Sequence, residues 1–287
     1  MSAREIEIAL PHLTLAAREW GDPANPPLLA LHGWLDNAAS FDALAPFLCE
    51  HFHIVALDFA GHGRSAWRPA GTWYHYVDYL DDVLGAADAL GWNRFSLLGH
   101  SLGGTVASVF AAVRPERVER LALIEALGPL SGEPAQALAQ LARALDQRAE
   151  FAGKTLRVFP DVAAAVAARR QANGLSPTAA EALVERGIKL VAGGYSWSSD
   201  PRLTLASPLR YTEEQVLALV SGIRAPTLLV LAEPAPPYLP RAIVDARAAK
   251  VADIRVARIA GSHHLHLEDP QPVAAELRDF FAPLSRR

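Results

Sequence analysis

Short apolar runs, each followed by a segment of helical periodicity, restrict what this chain can fold into more than any other feature. Pro27–Leu31, His53–Leu57, Phe95–Leu98 and Arg120–Ile124 are strand-length and apolar, and they lead through glycine-bearing or polar loops. Most of these loops enter segments whose apolar residues recur at helical spacing, namely Phe41–Glu50, Trp73–Leu90 and Leu102–Arg114. An apolar strand must be covered on both faces, and a helix after each strand supplies the cover. The pattern therefore predicts an α/β fold with a mostly parallel twisted sheet and helices on both faces. Ahead of it, Ile6, Ile8 and Leu10 alternate, as do Leu13 and Leu15, around Pro11-His12, which predicts an antiparallel hairpin over Arg4–Trp20.

After Glu125 the alternation stops. Pro134–Gly153, Asp161–Asn173 and Pro177–Gly193 are rich in Ala, Leu, Arg and Glu and read as helices with no strand between them. It resumes with Thr212–Ser221 (helix), Thr227–Ala232 (strand), Pro240–Lys250 (helix), Ile254–Ile259 (strand) and Pro272–Phe281 (helix). One sheet domain, residues 1–128 and 209–287, is thus expected to carry a helical insertion over 129–208. The 287 residues are enough for one such domain, and 51% hydrophobic against 20% charged residues describes a chain able to build a large core. A net charge of −4 with no basic cluster gives no field for phosphate backbones, so nucleic acid is not an expected partner. The lone cysteine, Cys49, excludes an internal disulfide. No apolar run follows the N-terminal Met1-Ser2-Ala3-Arg4-Glu5, and no stretch approaches the ~20 apolar residues of a membrane span, so a cytoplasmic location is the expectation.

The chemistry concentrates in two places. Phe95–Leu98 runs into Gly99-His100-Ser101-Leu102-Gly103-Gly104 and then Thr105–Val113, a strand, a sharp turn and a helix in succession. Such a turn crowds the backbone, so its flanks must lack side chains while the serine hydroxyl is held out at the strand end. Serine becomes a useful nucleophile at neutral pH only beside a base. The loop after Ile254–Ile259 offers His263, His264 and His266, three of the ten histidines. A lone histidine is more often structural, but one in a loop after the last strand, downstream of the serine, is placed to serve it.

With these residues in view, the chain resembles the α/β-hydrolase fold family over nearly its whole length apart from the insertion. The matches are His32-Gly33-Trp34, Asp58-Phe59-Ala60-Gly61-His62-Gly63-Arg64-Ser65, Gly99–Gly103 and Gly261–Pro270. The resemblance implies that the catalytic histidine stands five residues before the glutamate of a Glu-x-Pro tail, which selects His263. It also implies that the backbone amides of Trp34 and Leu102 form an oxyanion hole. Asp58 and His62 are expected to organise their loop, and His32 either to shape its turn or, with His100, Tyr195 and Trp197, to line a substrate pocket. One departure stands out. Many relatives place the triad acid after the seventh strand, where this chain has Ala232-Glu233-Pro234-Ala235-Pro236-Pro237. Glu125, at the end of the sixth strand, and Glu233 are the replacements, and Glu125 is favoured because a carboxylate ending an apolar strand needs a partner.

Together these features predict a serine hydrolase with Ser101 as nucleophile, His263 as base and Glu125 as acid, acting on a small or medium carboxylic ester through an acyl-enzyme. No cofactor or metal is required. Carbon–carbon bond hydrolysis, lactone opening and thioester cleavage need the same machinery. A catalytically inactive ligand-binding or interaction protein is the competing class. The expected partner is a small-molecule substrate, and a homodimer stays open.

Overall fold

A computed structural model of the protein describes residues 3–151, 156–236 and 239–282. Strands β1 (Arg4–Ala9) and β2 (Thr14–Trp20) form the expected antiparallel hairpin, paired from Arg4 with Glu19 to Ala9 with Thr14. β3 (Pro27–Leu31), β4 (His53–Leu57), β5 (Phe95–His100) and β6 (Val118–Ile124) follow, the last two separated from their neighbours by helices α1 (Asp78–Ala89) and α2 (Leu102–Val113). Beyond residue 128 come α3 (Ala137–Glu150), β7 (Val158–Phe159), α4 (Val162–Asn173), α5 (Pro177–Gly187), β8 (Ile188–Val191) and β9 (Gly194–Trp197). The chain then re-enters the sheet through α6 (Glu213–Val220), β10 (Thr227–Glu233), α7 (Arg241–Ala248), β11 (Ile254–Ala260), α8 (Leu265–Glu268) and α9 (Pro270–Phe281).

The main sheet runs β1-β2-β4-β3-β5-β6-β10-β11, antiparallel through β1, β2 and β4 and parallel from there on. Successive side chains of a strand point to opposite faces, so one strand feeds two cores. Leu29 and Leu31 of β3 join Val83 of α1, Val106 of α2 and Val216 of α6 on one face. Leu28 and Ala30 join Phe41 and, from α9, Val273 and Leu277 on the other. Each fully buried leucine contributes about 1.5–3 kcal/mol over leaving it in water.

The region after β6 differs from the sequence expectation. It holds helices, but β7, β9 and β8 also form a three-stranded antiparallel sheet. The helix expected over Pro177–Gly193 ends at Gly187, and its last turns are β8 and the start of a hairpin through Gly193 and Gly194. Strands of two to four residues are too short to declare a period of two, which is why they escaped sequence reading. The last two residues of the helix expected over Pro134–Gly153 lie outside the described residues. Phe41–Glu50 is not an α-helix either: two 3₁₀ turns occupy Ala38–Phe41 and Ala45–Phe47. Pro46 has no N–H to give to the carbonyl four residues back, so the helical ladder cannot run through it.

Arg186 of α5 fastens this region to the sheet. Its fully buried guanidinium lies 3.1 Å from both carboxylate oxygens of Asp58 through Nε and also pairs with Glu5 of β1. Asp58, at the end of β4, further accepts the amides of Ala38 at 2.7 Å and Arg64 at 2.8 Å, so it organises its loop as expected.

Candidate active site

Ser101 stands where β5 turns into α2, with φ of 52° and ψ of −112°. A positive φ is uncommon for a residue with a side chain and is held only where the surroundings over-determine it. Its amide donates to the Ile124 carbonyl at 2.9 Å, its carbonyl accepts from Thr105, and the Gly103 amide donates to the His32 carbonyl at 2.9 Å. The glycines are needed for space. A Cβ on Gly103 would lie 1.9 Å from the Leu31 carbonyl oxygen, and one on Gly99 would lie 2.4 Å from the Gly103 oxygen. Leu102 opens α2, so its amide belongs to the first turn, which has no carbonyl partner one turn earlier in the helix.

Glu125 follows β6 and also has a positive φ, 59°. It is 2% exposed, its Oε1 accepts the Ala232 amide at 2.6 Å, and its Oε2 lies 3.1 Å from His263 Nδ1. A carboxylate only accepts, so the His263 proton sits on Nδ1 and Nε2 is left as the basic nitrogen. Glu233, the other candidate acid, turns away: its half-exposed side chain pairs with Arg241.

The neighbouring histidines go to other tasks. His32 donates from Nδ1 to the Gly33 carbonyl at 2.6 Å and accepts the Phe59 amide at Nε2, so both nitrogens brace the backbone. Burial pushes it down to about 4 despite that carbonyl. His100 donates from Nε2 to the carbonyl of His263 at 2.8 Å, and burial together with the facing His266, His263 and His264 pushes it well below the usual range. Both are fully buried and offer no surface to a ligand, which corrects the expectation that they line a pocket. His264 donates from Nε2 to Asp36 Oδ2 at 3.2 Å, and His266 Nε2 meets Ser40 Oγ at 2.8 Å. Burial and His264 push His266 down to about 3. His62, likewise sealed, is pushed down to about 3 by burial and by His32.

Trp34 and Leu35 occupy the corner of a turn closed by the Asp36 amide and the Gly33 carbonyl at 3.1 Å. The Trp34 indole donates to the Leu203 carbonyl at 3.0 Å. Beside this turn lies a cavity of about 330 Å³, with Trp34, Leu35, Arg169, Leu183, Val184 and Trp197 among the residues lining it. Trp197 also packs edge-on against Phe159 at 5.0 Å, so it serves both the wall and the packing. Tyr195 pairs through its backbone with Phe159 and Leu190 and is not part of that wall.

Asp36 was missed by sequence reading, although it stands only three residues beyond Gly33. It is 3% exposed and pairs with Arg169 of α4 as well as with His264. Burial alone would raise its carboxyl, but His264, Arg169 and His100 outweigh burial and hold it well below the usual carboxylate range. Asp36, His100 and His264 offer three ligand atoms within 4.8 Å of one another, a set that suits a metal ion by residue type. The Arg169 guanidinium already supplies the positive charge there, so the set has less need of an ion.

The sheet order, the serine on its strand-to-helix turn and the histidine–glutamate pair beyond the ends of β11 and β6, with β10 between them, define one class of protein. The chain belongs to the α/β-hydrolase fold family, whose model matches residues 26–233. Within it, the chain is 32% identical to a serine hydrolase-like protein of Danio rerio, over 99% of this chain and 90% of that one. It is likewise 32% identical to serine hydrolase-like protein 2 of Homo sapiens, over 96% and 93%. Among solved structures it is similar to the hypothetical protein PA1622 of Pseudomonas aeruginosa PAO1, with 46% identity, a TM-score of 0.91, and coverage of 97% of this chain and 99% of that one. A thioesterase domain from the curacin biosynthetic pathway superposes with a TM-score of 0.82 at 27% identity, covering 96% and 98%. No described helix is long and apolar enough to cross a membrane.

Proposed function

We propose that the protein is a serine hydrolase that cleaves a small or medium carboxylic ester or a related acyl compound. The observation that carries this reading is the 3.1 Å contact between His263 Nδ1 and the buried Glu125, in a chain that also sets Ser101 on a strained strand-to-helix turn. Ser101 Oγ attacks the acyl carbon while His263 Nε2 takes its proton. The bond to the leaving group then breaks, and His263 returns that proton to the departing oxygen or sulfur. Water, deprotonated by the same nitrogen, releases the acid and restores Ser101. Glu125 keeps the proton on Nδ1 and stabilises the imidazolium that forms at each step. The amides of Trp34 and Leu102 receive the negative charge on the carbonyl oxygen, and α2 adds the positive end of its dipole behind Leu102.

The region over 129–208 acts as a cap, and the cavity beside Trp34 receives one arm of the substrate. That wall sets Trp34, Leu35, Leu183, Val184 and Trp197 beside the charged Asp36, Arg169 and Asp200, which suits an acyl or alkyl group with an apolar body. Likeness to the curacin thioesterase domain keeps thioesters within the substrate class.

Purified protein and its Ser101→Ala variant, incubated with a fluorophosphonate probe and short-chain p-nitrophenyl esters and thioesters, test the reading. Labelling and turnover in the wild type that vanish in the variant are expected. A folded wild type that neither labels nor turns over would sink it in favour of a ligand-binding role.

A further inference from the structure

The proposed mechanism makes no use of Asp36, yet this buried carboxylate contacts His264 and faces His100, the chain neighbours of His263 and Ser101. It follows directly on the Trp34-Leu35 turn, and its own amide closes that turn. One oxygen accepts from His264, the residue after His263, at 3.2 Å. The same oxygen faces His100 Nδ1 at 3.7 Å, and His100 precedes Ser101 and holds the His263 carbonyl at 2.8 Å. The other oxygen pairs with Arg169 of α4, whose side chain is 11% exposed and belongs to the wall of the cavity.

We propose that Asp36 and Arg169 are positioning residues for the base: the guanidinium of α4 fixes the Asp36 carboxylate, and that carboxylate fixes His264 and hence the loop carrying His263. The inference rests on the hydrolase reading above and adds to it a defined dependence of catalysis on the inserted region. Neither residue touches the reacting atoms.

The physical case is one of charge and reach. Asp36 is sealed from water, and a lone buried carboxylate is too costly to keep. His264 gives it one hydrogen bond, while the facing nitrogen of His100 has its proton on the far side and can give none. Arg169 adds a permanent positive charge, and it reaches Asp36 only while α4 is docked beside the Trp34 turn. Without the guanidinium, the carboxylate loses its permanent-charge partner and rearranges or takes up a proton. His264 then loses a fixed acceptor, and His263, one residue away, loses a support for its ring. A misplacement of about 1 Å at a reacting group costs about a hundredfold in rate. Because Arg169 also lines the cavity, a substrate arm seated there contacts the same side chain that steadies the base.

The test compares wild type, Arg169→Met, Asp36→Asn, the double variant and Arg169→Lys, with kcat counted per serine titrated by fluorophosphonate. Titration removes misfolded protein from the comparison, so a merely structural role would leave kcat per site unchanged. Each single variant is expected to lose about tenfold or more in kcat, with KM for p-nitrophenyl acetate changed less than threefold. The double variant should be no worse than the poorer single, because both act through one chain of contacts, and Arg169→Lys should recover most of the loss. A kcat for Arg169→Met within about twofold of wild type, or losses that multiply in the double variant, would overturn the proposal. Should Asp36→Asn fail to fold, Arg169→Met and Arg169→Lys decide the matter alone. An inactive wild type would instead remove the hydrolase reading on which the inference stands, a result distinct from an active enzyme indifferent to Arg169.

Discussion

Acidification should unfold this protein well above the pH at which its paired carboxylates titrate. His32 is pushed down to about 4, and His62 and His266 to about 3, all by burial first. In the unfolded chain each returns to an ordinary value near 6.5. A histidine whose folded value is depressed binds its proton more readily when unfolded, so its neutral form contributes stability above pH 6.5. That contribution falls away as the pH drops toward the folded value. Between pH 7 and pH 5 the slope climbs toward about 1.4 kcal/mol per pH unit for each group, a loss of about 2 kcal/mol per histidine and about 6 kcal/mol for the three. A domain has about 5–15 kcal/mol in all, so this removes a large part of it. The geometry gives the same sign independently. Protonating His32 would set a new N–H against the Phe59 amide that its Nε2 now accepts. The paired carboxylates Glu5, Glu19 and Glu213 are lowered and release their contribution only below the ordinary carboxylate range. The raised carboxyls of Asp42 and Asp82, desolvated by burial, oppose the trend in its most acidic part. Urea unfolding at pH 7, 6 and 5 measures the slope, which should approach four protons taken up on unfolding, because His100 is depressed by burial as well as His32, His62 and His266, and His62→Gln should reduce it by one. Stability that is flat or rises from pH 7 to pH 5 would refute the reasoning.

Two further outcomes follow from particular contacts. Glu125→Gln keeps the shape of the site but removes the charge that orients His263, so kcat for p-nitrophenyl esters should fall on the order of 10³–10⁴-fold, whereas Glu233→Gln, altering a half-exposed pair with Arg241, should stay within about twofold. Arg186→Met leaves Asp58 as a buried unpaired charge and should cost about 3–5 kcal/mol in urea unfolding; adding Asp58→Asn should return part of that, and equal losses in the single and double variants would contradict the pairing.

Some of these features were legible in the sequence because they are local. An apolar five-residue run such as Pro27–Leu31 has no choice but burial on both faces, and the observed register sends its leucine and alanine side chains alternately to two cores. The Gly99–Gly103 turn declares itself because only glycine leaves room beside the Leu31 and Gly103 carbonyls. Where a local signal was overridden, the cause is again specific. Apolar spacing over Phe41–Glu50 suggested a helix, but Pro46 broke its ladder. β8 and β9 are too short to show their period, and they become strands because β9 pairs with β8 on one side and β7 on the other.

What the sequence by itself determined is the set of elements whose hydrogen bonds and burial are dictated nearby: the parallel strands, their covering helices, the serine turn and the loop rich in histidine. Which acid meets which histidine was decided by the tertiary structure alone. Glu125 and Glu233 both end strands that lie side by side, and only the packing turns one inward to His263 and leaves the other with Arg241. Asp36, Arg169 and His264 are separated by 133 residues at one step and 95 at the next, and a buried charge finds its partners across such distances only when the whole chain has closed around it.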